Sequence, residues 1–253
     1  MCAEYMQSEQ ATSSLGYHPS GMTSHRESQE YPGERVRHVK QVSHRRIASY
    51  AAYTCITRMM DVVVSALLLL LSLPLFVIVG LMIKAESSGP VFFRQTRIGK
   101  NGRPFTIYKF RSMRCDAPIY GIKPKCDRTD SRVTRVGYVL RQTRIDEIPQ
   151  FFNILKGEMS LVGPRPEMPF LVEQYTPEQR RRLEVTPGLT GYWQVSPARK
   201  LPMHENLHYD LYYVDNRSLF LNMVILFKTT TMILCALCRV CWILLLGGGR
   251  EKS

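Results

Sequence analysis

Residues 62–83 carry no charged side chain, and Pro74 stands in the middle of the run. A helix rises about 1.5 Å per residue, so a run of this length matches the roughly 30 Å hydrocarbon core of a bilayer. A proline inside a helix removes a backbone hydrogen bond and frees a carbonyl, and Ser72 is placed to serve it. Asp61 closes the near end beside Arg58. Basic residues lie on both sides: Arg35, Arg37, Lys40, Arg45, Arg46 and Arg58 before the run, Lys84, Arg94, Arg97, Lys100 and Arg103 after it. The positive-inside rule makes the flanks of a true span unequal. The expectation is a helix broken at Ser72 and Pro74 that enters and leaves by one membrane face. A full span is the alternative.

The chain has a formal charge of +13 and a pI near 9.6. Such a balance implies an acidic partner: nucleic acid, anionic lipid or a phosphorylated substrate. No stretch resembles a nucleic-acid-binding module, so no nucleic acid is expected. The 7 cysteines are scattered and odd in number, which fits a reducing compartment. Cys235, Cys238 and Cys241 repeat every third residue in an apolar run and read as one face of a buried helix rather than a zinc site.

Residues 1–45 are rich in Ser, Gln, Glu, His and Arg and read as a disordered basic tail. Residues 91–98 and 104–113 read as two strands joined by Gly-Lys-Asn-Gly, a hairpin signal. Lys109 and Arg111 alternate with Phe110, so both charges are expected on one face, meeting phosphate or lipid headgroup. A loop is expected over 116–132 and a helix over 133–144. The turn Pro187-Gly188-Leu189-Thr190-Gly191 suggests backbone approaching a ligand closely. Residues 219–246 are apolar but interrupted by Lys228 and Arg239, which suits an interfacial or core helix better than a second span.

The chemistry concentrates in residues 141–166. Asp146 and Glu147 precede Pro149 and the helical pattern Ile148, Phe151, Phe152, Leu155. Proline in a first helical turn loses nothing, which places Asp146 near an N-cap, where anions are favoured. Arg141 and Arg144 lie before the pair, and Arg165 follows in Gly163-Pro164-Arg165-Pro166. Arginine grips phosphate oxygens bidentately. A carboxylate beside such a grip can attack phosphorus and form an acyl-phosphate. A helix cap set among solvated arginines explains the same residues without chemistry.

Asp146-Glu147-Ile148-Pro149-Gln150, Asn153-Ile154-Leu155-Lys156-Gly157-Glu158-Met159-Ser160 and Gly163-Pro164-Arg165-Pro166 together resemble the bacterial sugar transferases, the monotopic polyprenol-phosphate phosphoglycosyl transferases. Lys109-Phe110-Arg111-Ser112-Met113, Pro187-Gly188-Leu189-Thr190-Gly191 and Gln194 continue the match, which covers residues 58–230. The family's break is commonly Ser-Pro, whereas Leu73 separates Ser72 from Pro74 here.

The resemblance implies a mostly helical α+β fold with a small β-hairpin. Its parts would be a tail (1–45), a re-entrant membrane helix (46–84), a catalytic domain (85–218) and a membrane-interfacial helix and tail (219–253). It implies transfer of a sugar-1-phosphate from a UDP-sugar to undecaprenyl phosphate at the cytoplasmic face of a bacterial plasma membrane, initiating a surface polysaccharide or glycoconjugate. Asp146 would be the nucleophile, Glu147 would bind magnesium or assist the second step, and Arg141 and Arg165 would be the phosphate grips. Mg2+ would sit at Asp146 and Glu147. Membrane lipid is a further partner; the sugar and self-association stay open.

Two rival readings differ in class. His204-Glu205-Asn206-Leu207-His208 matches the H-E-x-x-H zinc-protease signature, although no histidine follows as a third ligand. A basic lipid-binding module without catalysis is the other, and Asp146→Asn separates it from an enzyme.

Overall fold

The computed structural model describes residues 44–115, 117 and 130–245. Nearly all of the expected tail, and most of the loop expected over 116–132, lie outside the described residues. Apart from the first residues of α1, the features below belong to the unit Tyr50–Ser253. In chain order they are α1 (His44–Glu86), β1 (Phe92–Ile98), β2 (Pro104–Phe110), α2 (Arg135–Thr143), α3 (Phe151–Lys156), β3 (Ser160–Val162), α4 (Pro169–Glu173), β4 (Gly188–Thr190), α5 (His208–Asn216) and α6 (Leu219–Leu245). The architecture is the mostly helical α+β one expected.

α1 stays helical through Pro74, so no break at that point is seen. Ser72 Oγ donates to the Leu69 carbonyl at 3.0 Å. The carbonyl that Pro74 leaves without a donor is that of Leu70, four residues back, so Ser72 serves a different one from that expected. One face of α1 is buried: Asp61, Ser65, Leu69, Ser72, Val79 and Ile83 recur at helical spacing. Val63, Leu67, Leu70, Leu71, Val77 and Leu81 stay exposed. Two helical stretches, Tyr50–Glu86 and Leu219–Trp242, are long and apolar enough to cross a membrane.

Polar ties fix the buried face of α1. Arg58 donates to the Ile154 and Leu155 carbonyls at 2.6 and 2.8 Å, at the end of α3, where carbonyls lack intrahelical partners and the dipole favours a cation. Asp61 Oδ1 accepts from Leu161 N at 2.8 Å. At the far end Glu86 accepts from Arg135 N and Val136 N, capping α2 together with Thr134.

β1 and β2 form the expected antiparallel hairpin. Asn101, at φ 57°, takes the left-handed position in its loop. Phe110 is buried against Phe76 of α1, their ring centres 4.9 Å apart. β3 and β4 pair in parallel. A Cβ on Gly188 would come within 2.0 Å of Gly163 N, so the close approach at this turn is to protein backbone. The ligand expected there is replaced by the segment Gly163-Pro164. The main core joins Ile107, Ile154, Met159, Leu161, Val162, Tyr213 and Ile225, so α6 packs through its first half. Cys235, Cys238 and Cys241 are exposed on α6, not buried as expected.

Candidate active site

α2 stops where Arg144 adopts φ 58°, in the left-handed region. For a residue with a side chain this conformation costs roughly 1–2 kcal/mol. Beyond it the chain enters a 3-10 turn, Ile145–Gln150. Asp146 and Glu147 sit inside this turn, not at the N-cap of a helix as the sequence suggested, and α3 follows Pro149.

Both carboxylates are buried, each 8% exposed, yet their surroundings differ. Glu147 Oε1 accepts from Lys109 Nζ and Arg165 Nη2, both at 2.8 Å, and Oε2 lies 3.5 Å from Arg144 Nη1. Asp146 makes no ion pair of this kind among the described residues. Burial alone would raise the Glu147 carboxyl, but Arg165, Lys109 and Arg144 hold it well below the usual range. Asp146 goes the other way. Burial and the Glu147 charge lift it to about 6, against the opposing pull of Lys109, Arg141 and Arg165. Lys109 is itself depressed by burial, with Glu147 pulling it back up.

Arg141 reaches the same cluster from α2. Its Nη2 lies 3.9 Å from Met113 Sδ, and its Nη1 is buried without a hydrogen-bond partner among the described residues. Buried guanidinium nitrogens are normally satisfied, so an orphan beside an under-paired carboxylate is a place for an anion.

Of the residues expected here, Asp146, Glu147, Arg141, Arg165 and Lys109 converge. Arg111 does not. It is buried and donates to Ser87 and Ser88 carbonyls and to Ser87 Oγ. Arg111 lies just past the end of β2, where strand alternation no longer governs it, and it anchors the chain leaving α1.

The sequence reading missed the support beneath Arg165. Arg182 Nη2 donates to the Arg165 carbonyl and to Asp210 Oδ2, both at 2.6 Å, and Nη1 to Tyr175 Oη at 2.7 Å. Within Arg180-Arg181-Arg182 nothing local marks the third arginine as the buried one.

For a metal, the described residues hold no group of three or more His, Cys, Asp or Glu side chains. That rules out an all-protein cage among them but suits Mg2+, which binds through one or two carboxylates plus substrate phosphates. The zinc-protease motif does not form its helical arrangement. His204 and Glu205 lie in a short 3-10 turn, Met203–Glu205, which ends before His208 opens α5. The two histidines therefore do not share one helix, and His204 and Glu205 are exposed.

A cavity of about 210 Å³ lies elsewhere, bounded by Met60, Asp61, Leu161, Asn222 and Leu226. No member of the carboxylate cluster lines it.

Fold and site together define a protein with a helix fit for a membrane and, packed on it, a cation-rich site that keeps one carboxylate unpaired. Residues 52–236 match the model of the family described as bacterial sugar transferase, and the chain belongs to that family of transferase enzymes. It is 44% identical over 188 residues to the UDP-N-acetylgalactosamine-undecaprenyl-phosphate N-acetylgalactosaminephosphotransferase of Aeromonas hydrophila, covering 72% of this chain and 44% of that protein. It is 42% identical to the UDP-glucose:undecaprenyl-phosphate glucose-1-phosphate transferase of Caulobacter vibrioides, covering 70% and 69%. The undecaprenyl-phosphate galactose phosphotransferase of Salmonella typhimurium is 36% identical, over 70% and 40%. The chain thus spans under half of two of these relatives and about two thirds of the other.

Proposed function

We propose that this protein transfers a sugar-1-phosphate from a UDP-sugar to undecaprenyl phosphate through a covalent intermediate on Asp146. An Asp146 oxygen attacks the β-phosphorus, the bond to the bridging oxygen breaks, and UMP leaves with the electron pair. A phosphate oxygen of the lipid then attacks the same phosphorus. The bond from the Asp146 oxygen to phosphorus breaks, the carboxylate returns, and undecaprenyl diphosphate-sugar is released to begin a surface polysaccharide. The relatives' names supply the substrate classes. The observation that carries the nucleophile is the contrast between the pair: Glu147 is committed to three cations, whereas Asp146 is unpaired beside an orphan arginine nitrogen.

Phosphoryl transfer needs chiefly positioning and charge neutralisation. Arg141 and Arg165 grip the diphosphate. Glu147 holds Lys109, Arg144 and Arg165 in place. Both Glu147 oxygens are taken up by Lys109, Arg165 and Arg144, so of the two carboxylates Asp146 would hold Mg2+ together with substrate phosphates, and the ion would neutralise diphosphate charge. Ionised Asp146 is the attacking form, so a carboxyl titrating at about 6 is ready at neutral pH.

The membrane helix sets the height of the site. Arg58 bonds α3 at Ile154 and Leu155, while Phe76 lies edge-on to Phe152 of the same helix, centroids 6.4 Å apart. These two residues would stand about 27 Å apart on a straight α1, against about 9 Å for the length of α3. That favours a bent, re-entrant α1 whose two limbs return to one cytoplasmic domain, with Asp146 at headgroup level.

Incubation with UDP-sugar alone should release about one equivalent of UMP and leave a phosphosugar on the protein. Absence of both from active enzyme would defeat the covalent scheme. EDTA should stop the release, and Mg2+ should restore it.

A further inference from the structure

We infer that Arg182, braced by Asp210 and Tyr175, is a positioning residue that sets the reach of Arg165 into the active site. The inference rests on the reading of Arg165 as a diphosphate grip. Three features carry it.

The first is connectivity. A single guanidinium joins three separate segments. Arg182 Nε and Nη2 both donate to Asp210 Oδ2, at 3.1 and 2.6 Å. Nη1 donates to Tyr175 Oη at 2.7 Å, and Nη2 also reaches the Arg165 carbonyl at 2.6 Å. From the same residue Arg165, the side chain runs to Glu147 Oε1. The backbone of the site arginine is therefore held from below while its side chain is held from the site.

The second is the completeness of the hold. Gly163 N donates to the Thr190 carbonyl and Gly188 N to the Pro164 carbonyl. Ile98 N donates to the Glu167 carbonyl, and Arg97 pairs with the Glu167 carboxylate at 3.3 Å. Pro164 and Pro166 have no N–H to contribute, so past Gly163 the hold on the segment's backbone runs through the carbonyls of Pro164, Arg165 and Glu167. Arg182 supplies the bond at Arg165 itself.

The third is energetic. Arg182 is 2% and Asp210 1% exposed. Buried ion pairs are often no more stabilising than apolar residues of similar volume, because desolvation offsets the attraction. Here Asp210 Oδ1 has no hydrogen-bond partner among the described residues, so the pair is not arranged for its own full satisfaction. What this geometry does secure is the donor aimed at Arg165.

The test is a double-mutant cycle in the full-length enzyme, read by single-turnover UMP release from UDP-sugar. Arg182→Lys keeps the charge but loses the fork that reaches Asp210, Tyr175 and the Arg165 carbonyl together. It should slow release about tenfold, and in an Arg165→Ala background it should cost less than about twofold, since its effect passes through Arg165. Arg182→Lys should also weaken UDP binding about threefold in the wild-type background and leave it unchanged in the Arg165→Ala background. A tenfold loss repeated in the Arg165→Ala background, or full rate in Arg182→Lys alone, overturns the inference. Tyr175→Phe, which deletes one bond to Arg182, should show a smaller effect with the same non-additivity; full additivity there counts equally against it. Wild-type enzyme that releases no UMP would instead defeat the proposed function, a distinct result.

Discussion

The molecule holds two buried charge clusters that share Arg165 and are built on opposite rules. Around Asp146 and Glu147 four cations, Lys109, Arg141, Arg144 and Arg165, face two carboxylates, and one arginine nitrogen is left without a partner. Beneath Arg165, Arg182 and Asp210 match one to one, and the guanidinium uses all three of its nitrogens. An excess of positive charge gathered around buried carboxylates invites a balancing anion that comes and goes. A balanced pair balances itself and can serve as scaffold. The difference separates residues that act on a substrate from residues that hold them, even though both groups are built of arginines and carboxylates.

Neutralising one carboxylate in each cluster separates the two roles most sharply. Asp146→Asn should reduce UMP release by about 10⁴-fold or more, the scale seen when a nucleophile is removed. Thermal stability should not fall. A protein that kept full turnover would not use this carboxylate. Asp210→Asn should do the reverse in kind, leaving Arg182 incompletely balanced. Breaking a buried pair from one side costs about 3 kcal/mol or more, a fall in Tm of roughly 10 °C in a chain of this size. A Tm unchanged within a degree would show that the pair is not the scaffold described.

Arg141→Ala probes the orphan nitrogen. Losing a charge-assisted bond to a diphosphate costs about 1.5–3 kcal/mol, so UDP should bind roughly 10- to 100-fold more weakly. Because Nη1 has no partner within the described protein, Tm should change little. Equal affinity measured by calorimetry would remove Arg141 from the grip. The pH profile is the next smaller effect. With Asp146 at about 6, the rate should be flat above about pH 7 and fall close to tenfold per unit well below pH 6.

The sequence exposed the upper cluster and hid the lower one, for a physical reason. Asp146, Glu147, Arg141 and Arg165 lie within one stretch, and phosphate chemistry explains why those types stand together. The hairpin was legible from Asn101-Gly102, because a left-handed turn demands such residues. Arg182 and Asp210 come from distant segments, and each looks locally like an ordinary surface charge. Arg111 misled in the opposite direction, since strand alternation says nothing about carbonyls presented by the end of α1. At Gly188, a glycine that admits close backbone approach does not reveal what approaches, and here it is Gly163.

The smallest effect concerns stability, and its sign follows from the same contrast. Asp146 has its folded-state value raised from 3.8 to about 6. Its contribution to stability is thus full below about pH 4 and is lost as pH rises through about 6, where the folded protein must ionise a buried group that water would ionise sooner. The shift bounds the cost at about 3 kcal/mol, and coupling to Glu147 reduces what a single substitution recovers. Asp146→Asn should therefore be more stable than wild type by about 1 kcal/mol at pH 7.5, or a Tm higher by roughly 2–4 °C. The gain should shrink towards zero near pH 4. Glu147 lies well below its usual value, so its contribution is present at neutral pH and Glu147→Gln should lower Tm there. Opposite signs at adjacent carboxylates, measured by melting the two variants side by side, would place the unpaired member where chemistry occurs and the paired one where the cations are held. Matching signs would remove the distinction on which their separate roles rest.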